Sequence, residues 1–248
     1  MHALIRAELL KLRTVRGPWL VLAAGPLLVI AGISGLVVSG GNLHDPATQA
    51  KALAHVGLTA IFPLAFGILA VAGEYRHKTI TDTYLSTPAR GRVIGAKLLV
   101  YALIGILAAV AAAVVGLAVA ALWWSAKGAS FEWGNTAMWT TVGGGVAWNA
   151  AFAAIGVGLG ALVRNLTAAV AVALAWIALI EGVVGQLIGS LARWLPFYAG
   201  QALGAAAGSK SMLPQALLPR WGAAVVLAAY TAAFAVAALA TSVRRDVS

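Results

Sequence analysis

The residue of this sequence best placed for chemistry is Glu181, a carboxylate inside a long apolar run. An ionisable group at membrane depth is costly, which makes it a candidate for handling a substrate or a proton. At 1.5 Å per residue it lies about 21 Å along a helix that begins near Thr167. Two structural alternatives remain open, since the carboxylate could reach water at the outer surface or pair with Arg193. Gln186 and Asn149 are weaker polar candidates.

Motifs for hydrolysis or nucleotide binding are missing from the sequence. There is no HExxH metal motif and no GxSxG nucleophile elbow, and the absence of cysteine excludes disulfides and thiolate sites. The string nearest to a phosphate-binding loop, residues 204–211, has Ser209 where GxxxxGK[ST] requires glycine. The sequence therefore predicts no enzyme, with no catalytic residues, no metal and no cofactor bound directly.

The composition is that of an all-α integral membrane protein. Of 248 residues, 62% are apolar and only 10% are charged, against about 25% charged in soluble domains. The net charge of +10 suits a protein lying against anionic headgroups. Nucleic-acid binding is the other usual interpretation of such a charge, but the basic residues fall in short gaps between apolar runs and build no basic domain.

Six apolar stretches are long enough for a transmembrane helix, which needs about 20 residues. They are residues 18–38, 53–72, 94–122, 138–163, 167–188 and 221–243. We therefore expect one membrane domain, with an interfacial helix at 1–17, six spans within 18–243 and a cytoplasmic tail at 244–248. The pairs Gly156–Gly160 and Gly185–Gly189 have a spacing that permits close helix contact.

The distribution of basic residues predicts the orientation. With the N-terminus inside, the inner set of loops holds 12 of the 17 basic residues, so both termini are expected in the cytoplasm. Tryptophans flank the expected outer loops, as in the aromatic belts of membrane proteins. They are Trp123, Trp124, Trp133 and Trp139 at the second outer loop, and Trp194 and Trp221 at the third.

The first inner loop, residues 73–91, is unusually polar. Glu74 and Lys78 have the i,i+4 spacing of an ion pair on a short helix. Tyr75, Thr79 and Asp82 would share one face of that helix. The segment is either a solvated basic loop that sets topology or a docking surface for a cytoplasmic partner. Its candidate residues are Glu74, Tyr75, Arg76, His77, Lys78, Thr79, Asp82, Pro88, which would stop the helix, and Arg90.

Two further segments are neither spans nor ordinary loops. Residues 1–17 predict an interfacial helix with Ile5, Leu9 and Leu12 on one face. Residues 189–220 are too apolar for a free loop and too interrupted for a span, which predicts a re-entrant or interfacial element. The candidate residues of the N-terminal helix are Arg6, Glu8, Lys11 and Arg13.

Three segments of the chain together carry a family resemblance. The string RAELLKLRT at 6–14 precedes the first span, and GEYRHKTI at 73–80 precedes Leu85, Pro88, Arg90 and Lys97. Residues 181–182 and 195–197 mark a break before the last span. In this pattern, which runs from end to end, the chain resembles the permease subunits of ABC-2 type exporters, with a composition like that of actinobacterial members. The inner loop is its most specific part, although many relatives carry glycine at the position of Lys78.

The resemblance implies an ABC-2 exporter fold of six transmembrane helices. It implies an amphipathic N-terminal helix, a cytoplasmic coupling helix within 74–85 and a re-entrant outer segment before the last helix. A separate cytoplasmic ABC ATPase would bind ATP and Mg and seat on the coupling helix. A second permease chain, identical rather than a paralogue, would complete the translocation path in the bilayer of a bacterial cell membrane. No nucleic-acid partner is implied.

Two other functions remain open from the residues alone. A secondary transporter or channel would show internal repeats or several intramembrane charges, whereas this sequence has no obvious repeat. A non-transporting membrane scaffold, anchor or immunity protein would use the same spans without a path.

Overall fold

The computed structural model describes residues 1–14, 17–87, 89–206 and 217–244. Pro88, the second half of the string at 204–211, and residues 245–248 of the expected tail lie outside the described residues. Within them the chain is helical and forms no strand. The helices are α1 (His2–Thr14), α2 (Gly17–Val38), α3 (Pro46–Leu53), α4 (His55–Leu58), α5 (Ile61–Arg76), α6 (Thr79–Ser86), α7 (Arg90–Ala126), α8 (Thr136–Val163), α9 (Leu166–Ala175), a π-helical turn (Trp176–Glu181), α10 (Gly182–Leu187), α11 (Gly189–Ala192), α12 (Pro196–Gly204) and α13 (Arg220–Arg244).

Among the described residues, six helical segments are long and apolar enough to cross a membrane, which agrees with the expected six spans and with a multi-pass membrane protein. They are Trp19–Val38, Pro46–Arg76, Arg90–Ala126, Thr136–Val163, Leu166–Leu187 and Arg220–Thr241. The third is 37 residues long. At 1.5 Å per residue it measures about 55 Å, so it extends well past a hydrocarbon core of about 30 Å.

The second span begins earlier than expected and is broken into α3, α4 and α5. Its start is capped by Asp45, whose carboxylate accepts from the backbone N–H of Ala47. The side chain of Asn149 supplies hydrogen-bond partners at the break. It donates to the carbonyl of Val56 at 3.1 Å and accepts from the hydroxyl of Thr59 at 3.0 Å. Asn149 is therefore fully engaged in holding the backbone.

Helix α8 lies at the centre of the bundle and contacts α3, α4, α5, α7, α12 and α13. Its glycines make close approach possible. A Cβ at Gly156 would overlap the carbonyl oxygen of Leu64, and one at Gly160 would lie 2.8 Å from that of Ile68. The expected close contact at this pair is confirmed, whereas Gly185 and Gly189 lie in separate short helices and form no common face.

The bundle has two distinct ends. The near end carries α1, α6 and the start of α7, and the far end carries α3, the start of α8 and α12. Trp124 lies at the far end of α7, but it is fully buried and its indole N–H donates to the carbonyl of Leu43. The expectation that Trp124 belongs to an aromatic belt is therefore wrong, while Trp133 and Trp221 are exposed as expected.

Candidate functional site

The polar segment after the second span forms two helices rather than one. Helix α5 continues to Arg76, and α6 begins at Thr79 after a turn at His77 and Lys78. Lys78 has φ of 59° and ψ of 14°, in the left-handed region that favours glycine. Its backbone N–H donates to the carbonyl of Tyr75 at 3.2 Å. A helix within 74–85 is present, but it begins at Thr79 rather than near Glu74, because α5 ends at Arg76 and Lys78 is left-handed.

The expected ion pair between Glu74 and Lys78 is wrong. Glu74 points into the protein, where its Oε1 atom lies 2.6 Å from Nζ of Lys11 and 2.8 Å from Nζ of Lys97. Lys78 is exposed. The i,i+4 spacing brings two side chains together only within one helix. Here α5 ends at Arg76, and Lys78 lies beyond it in a left-handed conformation.

Lys97 is the centre of a buried ion cluster that consists of Glu8, Lys11, Glu74 and Lys97. Its ammonium is completely buried and lies 3.0 and 2.9 Å from the two carboxylate oxygens of Glu8. It also donates to the carbonyl of Ala70 at 3.0 Å. A buried charge is tolerated only when paired and hydrogen-bonded. The cluster meets this requirement with two carboxylates and two ammonium groups, which balance in charge.

Lys11 completes the ion cluster at its exposed side. Burial lowers the pKa of Lys11, but its hydrogen bonds and charge interactions with Glu74 and Glu8 outweigh burial and raise the pKa above its usual value of 10.5. About two fifths of the Lys11 side chain remains exposed. Water therefore screens its ion pairs with Glu8 and Glu74 more than it screens the ion pairs of Lys97.

The N-terminal helix α1 is held against the bundle by its inner face. Glu8 and Leu12 are buried, and Ile5 packs beside them. The indole N–H of Trp19 donates to the carbonyl of Leu12 at 2.6 Å, which ties the end of α1 to the first span. Leu9, expected on one face with Ile5 and Leu12, is 45% exposed and so does not share the buried position of Leu12. The guanidinium-bearing residues Arg6 and Arg13 are exposed.

Helix α6 has one buried face and one exposed face. Ile80 and Tyr84 pack with Val93 of α7, and Leu4 of α1 and Tyr75 of α5 border this cluster. The outer face consists of Thr79, Thr81, Asp82 and Leu85, of which Leu85 is 76% exposed. Tyr75 therefore does not share a face with Thr79 and Asp82, because it belongs to the preceding helix. Arg76, His77 and Arg92 are also exposed, and the guanidinium of Arg90 lies 5.2 Å from the ring centre of Tyr84.

Arg164 is a near-end residue whose role sequence reasoning missed. Its guanidinium lies 5.3 Å from the ring centre of Tyr75 and donates to the carbonyl of Thr241 in α13 at 3.4 Å. Its own φ is 57°, which turns the chain from α8 into α9. In the sequence Arg164 was only one of the basic residues between two apolar stretches, and it counted toward the predicted orientation.

A cavity of about 670 Å³ opens beside the ion cluster. Lys11, Glu74 and His77 line its polar part, and Val21, Phe66 and Leu69 are among its apolar lining. This volume is in the range of sites for small organic molecules. Among the described residues, no group of three His, Cys, Asp or Glu side chains could hold a metal ion.

Glu181 caps a helix from another part of the chain. It lies in the π-helical turn and is 1% exposed. Its carboxylate accepts from the backbone N–H of Phe197 at 3.0 and 3.1 Å, from that of Tyr198 at 3.3 Å and from the indole N–H of Trp176 at 3.1 Å. Both structural alternatives are thus wrong, because the carboxylate neither reaches water nor pairs with Arg193, whose guanidinium lies over the ring of Trp194.

Comparison with known proteins assigns no function to the chain. No protein-family model matches the chain, and no curated protein matches it either.

Proposed function

We propose that this chain is the membrane-spanning permease subunit of an ATP-driven exporter of the ABC-2 type. In this proposal the near end faces the cytoplasm of a bacterial cell, and a separate ATPase subunit docks there on α6. The ATPase binds ATP and Mg, and this chain binds neither. A second copy of the chain completes the path through the plasma membrane.

The observation that carries the proposal is the two-faced α6. An exposed leucine on a short helix outside the membrane bundle offers a partner an apolar contact that docking would remove from water. Leu85 stands out on the exposed face, and Arg76, Lys78 and Arg92 add exposed cationic positions in the adjoining segments. A complementary partner would offer an apolar pocket for Leu85 with carboxylates around it, since charge complementarity steers and orients association.

The attachment of α6 to the rest of the chain supports a mechanical role. Its buried face contacts Leu4 of α1, Tyr75 of α5 and Val93 of α7. Helices α5 and α7 continue directly into the second and third spans, and Trp19 links α1 to the first. A displacement of α6 by a docked ATPase would therefore act on three spans at once, which is what alternating access requires of a rigid helical bundle.

The large cavity beside the ion cluster is the part of the chain that we assign to the path. It lies at the near end, between the N-terminal region and the second span. Its apolar lining, with Lys11, Glu74 and His77 at one side, suits a molecule with an apolar body and a polar group.

The test is affinity purification of the tagged chain from its native membrane in mild detergent, followed by identification of the bound chains. We expect a protein with a Walker A motif to co-purify with the parent chain. Arg76→Glu and Leu85→Asp should release the ATPase. Each changes an exposed side chain, at the end of α5 or on α6, and leaves the buried face of α6 unchanged. Lys127→Glu, an exposed charge reversal at the far end, is the matched control and should retain the partner.

Two results would overturn the proposal. One is the absence of an ATP-binding chain from the purified parent complex. The other is equal recovery of the ATPase with Arg76→Glu, Leu85→Asp and Lys127→Glu. A secondary transporter or a membrane scaffold would then be the better description of the chain.

A further inference from the structure

A second cavity lies within the bundle, between α5, α8, α13 and the fifth span. Its volume is about 160 Å³, close to that of an apolar cavity of about 150 Å³ that holds benzene. The space therefore admits a group of roughly that size and is too small for a drug-sized molecule. Four aromatic side chains and one carboxylate distinguish its lining, and we call it the aromatic cavity. These residues are Phe152, Trp176, Tyr230, Phe234 and Glu181.

The four rings of the aromatic cavity are brought together by the packing of α8, α13 and the π-helical turn. Phe152 of α8 is 2% exposed and lies in a core cluster against which Tyr230 and Phe234 of α13 pack. Trp176 is held in place because its indole N–H donates to the carboxylate of Glu181 at 3.1 Å. Aromatic rings attract cations through the negative potential of their faces, and several rings around one space are the usual site for a quaternary ammonium group.

The carboxylate of Glu181 has no cationic partner within the part of the chain that the structure describes. The ion pairs found there all belong to the cluster around Lys97, and the guanidinium of Arg193 lies over the ring of Trp194. A buried carboxylate is normally paired with a cation. The N-terminus of α12, which Glu181 caps, contributes only about half an elementary positive charge. Glu181 therefore leaves negative charge at the border of the aromatic cavity.

The hydrogen-bonding state of the lining decides which kind of cation fits. Glu181 already accepts from the backbone N–H groups of Phe197 and Tyr198 and from the indole of Trp176. Apart from this carboxylate and the phenol of Tyr230, the free lining is hydrocarbon. A primary ammonium ion would lose its hydrogen bonds to water here without replacing them. A quaternary ammonium ion has no N–H donor to satisfy, and it carries its charge inside an apolar shell.

We propose that the aromatic cavity binds a quaternary ammonium group, with the four aromatic rings around the cation and Glu181 as its counter-charge. Val172 and Trp176 line the cavity and are 48% and 41% exposed, so a ligand can reach it from the outer surface of the bundle. The group could belong to a free cation or to a lipid headgroup, since both present the same chemistry. The site goes beyond the proposed function, because it is separate from the cavity assigned to the path.

The test is equilibrium dialysis of radiolabelled choline against the full-length chain in nanodiscs of phosphatidylglycerol, a lipid without an ammonium group. Binding to empty nanodiscs is subtracted. We expect saturable binding to one site per chain. The uncharged isostere 3,3-dimethylbutan-1-ol should compete at least about tenfold less well than unlabelled choline, because it lacks the charge that the rings and Glu181 attract.

Nanodiscs that contain phosphatidylcholine distinguish the two sources of the ammonium group. Weaker binding of free choline in these nanodiscs would support the proposal with a lipid headgroup as the ligand. Unchanged binding of free choline would support the proposal with a free cation as the ligand.

Variants of the lining locate the bound cation. Ala173 is 7% exposed and lines the cavity, so Ala173→Leu should fill the space and abolish choline binding. Ala175→Leu, at an exposed position of the same helix outside the lining, is the matched control and should bind as the parent does. Glu181→Gln keeps the shape of the side chain, removes its charge and should weaken binding at least about tenfold.

Two substitutions at Tyr230 separate the aromatic ring from its hydroxyl. Tyr230→Phe keeps the ring and should retain the affinity for choline, whereas Tyr230→Leu should weaken it about threefold or more. Both substitutions leave the carboxylate of Glu181 in place. Tyr230→Leu and Ala173→Leu therefore carry the test if Glu181→Gln fails to fold.

The proposal is overturned if the parent chain shows no saturable binding of choline. Equal affinity of the parent and Ala173→Leu also overturns it, because choline would then bind elsewhere. Equal affinity for choline and its isostere, or equal choline binding by the parent and a folded Glu181→Gln chain, would show an apolar cavity without preference for a cation and likewise overturns it. None of these measurements involves an ATPase, so failure here and failure of the proposed docking on α6 are distinguishable.

Discussion

The ammonium of Lys97 lies 2.9 and 3.0 Å from the two carboxylate oxygens of Glu8, a residue 89 positions earlier in the chain. This pair joins the N-terminal helix to the third span at a place that water does not reach. It also fixes Glu74, and through Glu74 the end of the second span, so three separate segments meet at one nitrogen atom.

Lys97→Met should destabilise the protein strongly. The variant leaves Glu8 and Glu74 buried with only the partly exposed Lys11 as a counter-charge, and removal of one partner from a buried pair costs about 3–5 kcal/mol. Thermal unfolding of the purified chain in detergent measures the effect. Arg92→Met, an exposed cation one and a half turns earlier in α7, should change stability little. Similar melting temperatures for the two variants would contradict the described cluster.

The stability of the near end should fall at alkaline pH in a manner that depends on Lys11. Its pKa is raised in the folded protein, so its stabilising contribution is fully present below the unfolded value of 10.5 and is lost as pH rises through the folded value. The melting temperature is measured across this alkaline window for the parent and Lys11→Met. The two should converge above pH 10.5, because the variant lacks the contribution that the parent loses. Parallel curves would show that Lys11 is not engaged by Glu74 and Glu8.

Lys78→Gly should be tolerated or mildly stabilising, whereas Lys78→Val should be destabilising. A left-handed conformation costs a non-glycine residue roughly 1–2 kcal/mol, and a β-branched side chain suffers most. His77→Gly is the matched control, since φ there is −92° and glycine would only add freedom to the unfolded chain. Thermal unfolding of the three variants gives the comparison. Equal losses for Lys78→Gly and His77→Gly would argue against the left-handed turn.

Gly156→Ala and Gly143→Ala should have opposite effects although both lie in α8. A methyl group at Gly156 would overlap the carbonyl oxygen of Leu64, and overpacking of this kind costs about 1–3 kcal/mol. At Gly143 no atom of the described residues lies within 4 Å of the added methyl group, so the substitution should stabilise the helix by up to about 1 kcal/mol. Unfolding temperatures in the same detergent give both signs, and a loss at Gly143 as large as that at Gly156 would contradict the packing of α8 on α5.

The six spans could be predicted because hydropathy is a local property. A run of about 20 apolar residues identifies a transmembrane helix whatever surrounds it. The break in the second span near Val56 and the extension of α7 to Ala126 were not predicted. Asn149 acts on the second span from the fourth, and the length of α7 beyond the hydrocarbon is polar or mixed in composition.

The polar contacts could be predicted only where both partners are close in sequence. The i,i+4 rule led to Glu74 and Lys78, but the true partners of Glu74 are Lys11 and Lys97, 63 and 23 residues away. The partners of Glu181 were invisible for a different reason. They include the backbone N–H groups of Phe197 and Tyr198. Every residue except proline has such a group, so no sequence motif identifies the ones that bind Glu181.

The long-range pairing of Glu8 has a consequence for the order in which the protein is assembled during synthesis. The N-terminal helix leaves the ribosome first, but its buried partner Lys97 is made 89 residues later. Until the third span has been inserted, the carboxylate of Glu8 has no buried counter-charge of that kind, and the favourable place for it is the headgroup region. Docking of α1 through the Glu8–Lys97 pair therefore requires the third span to have been made, so this contact cannot form before the first three spans are present.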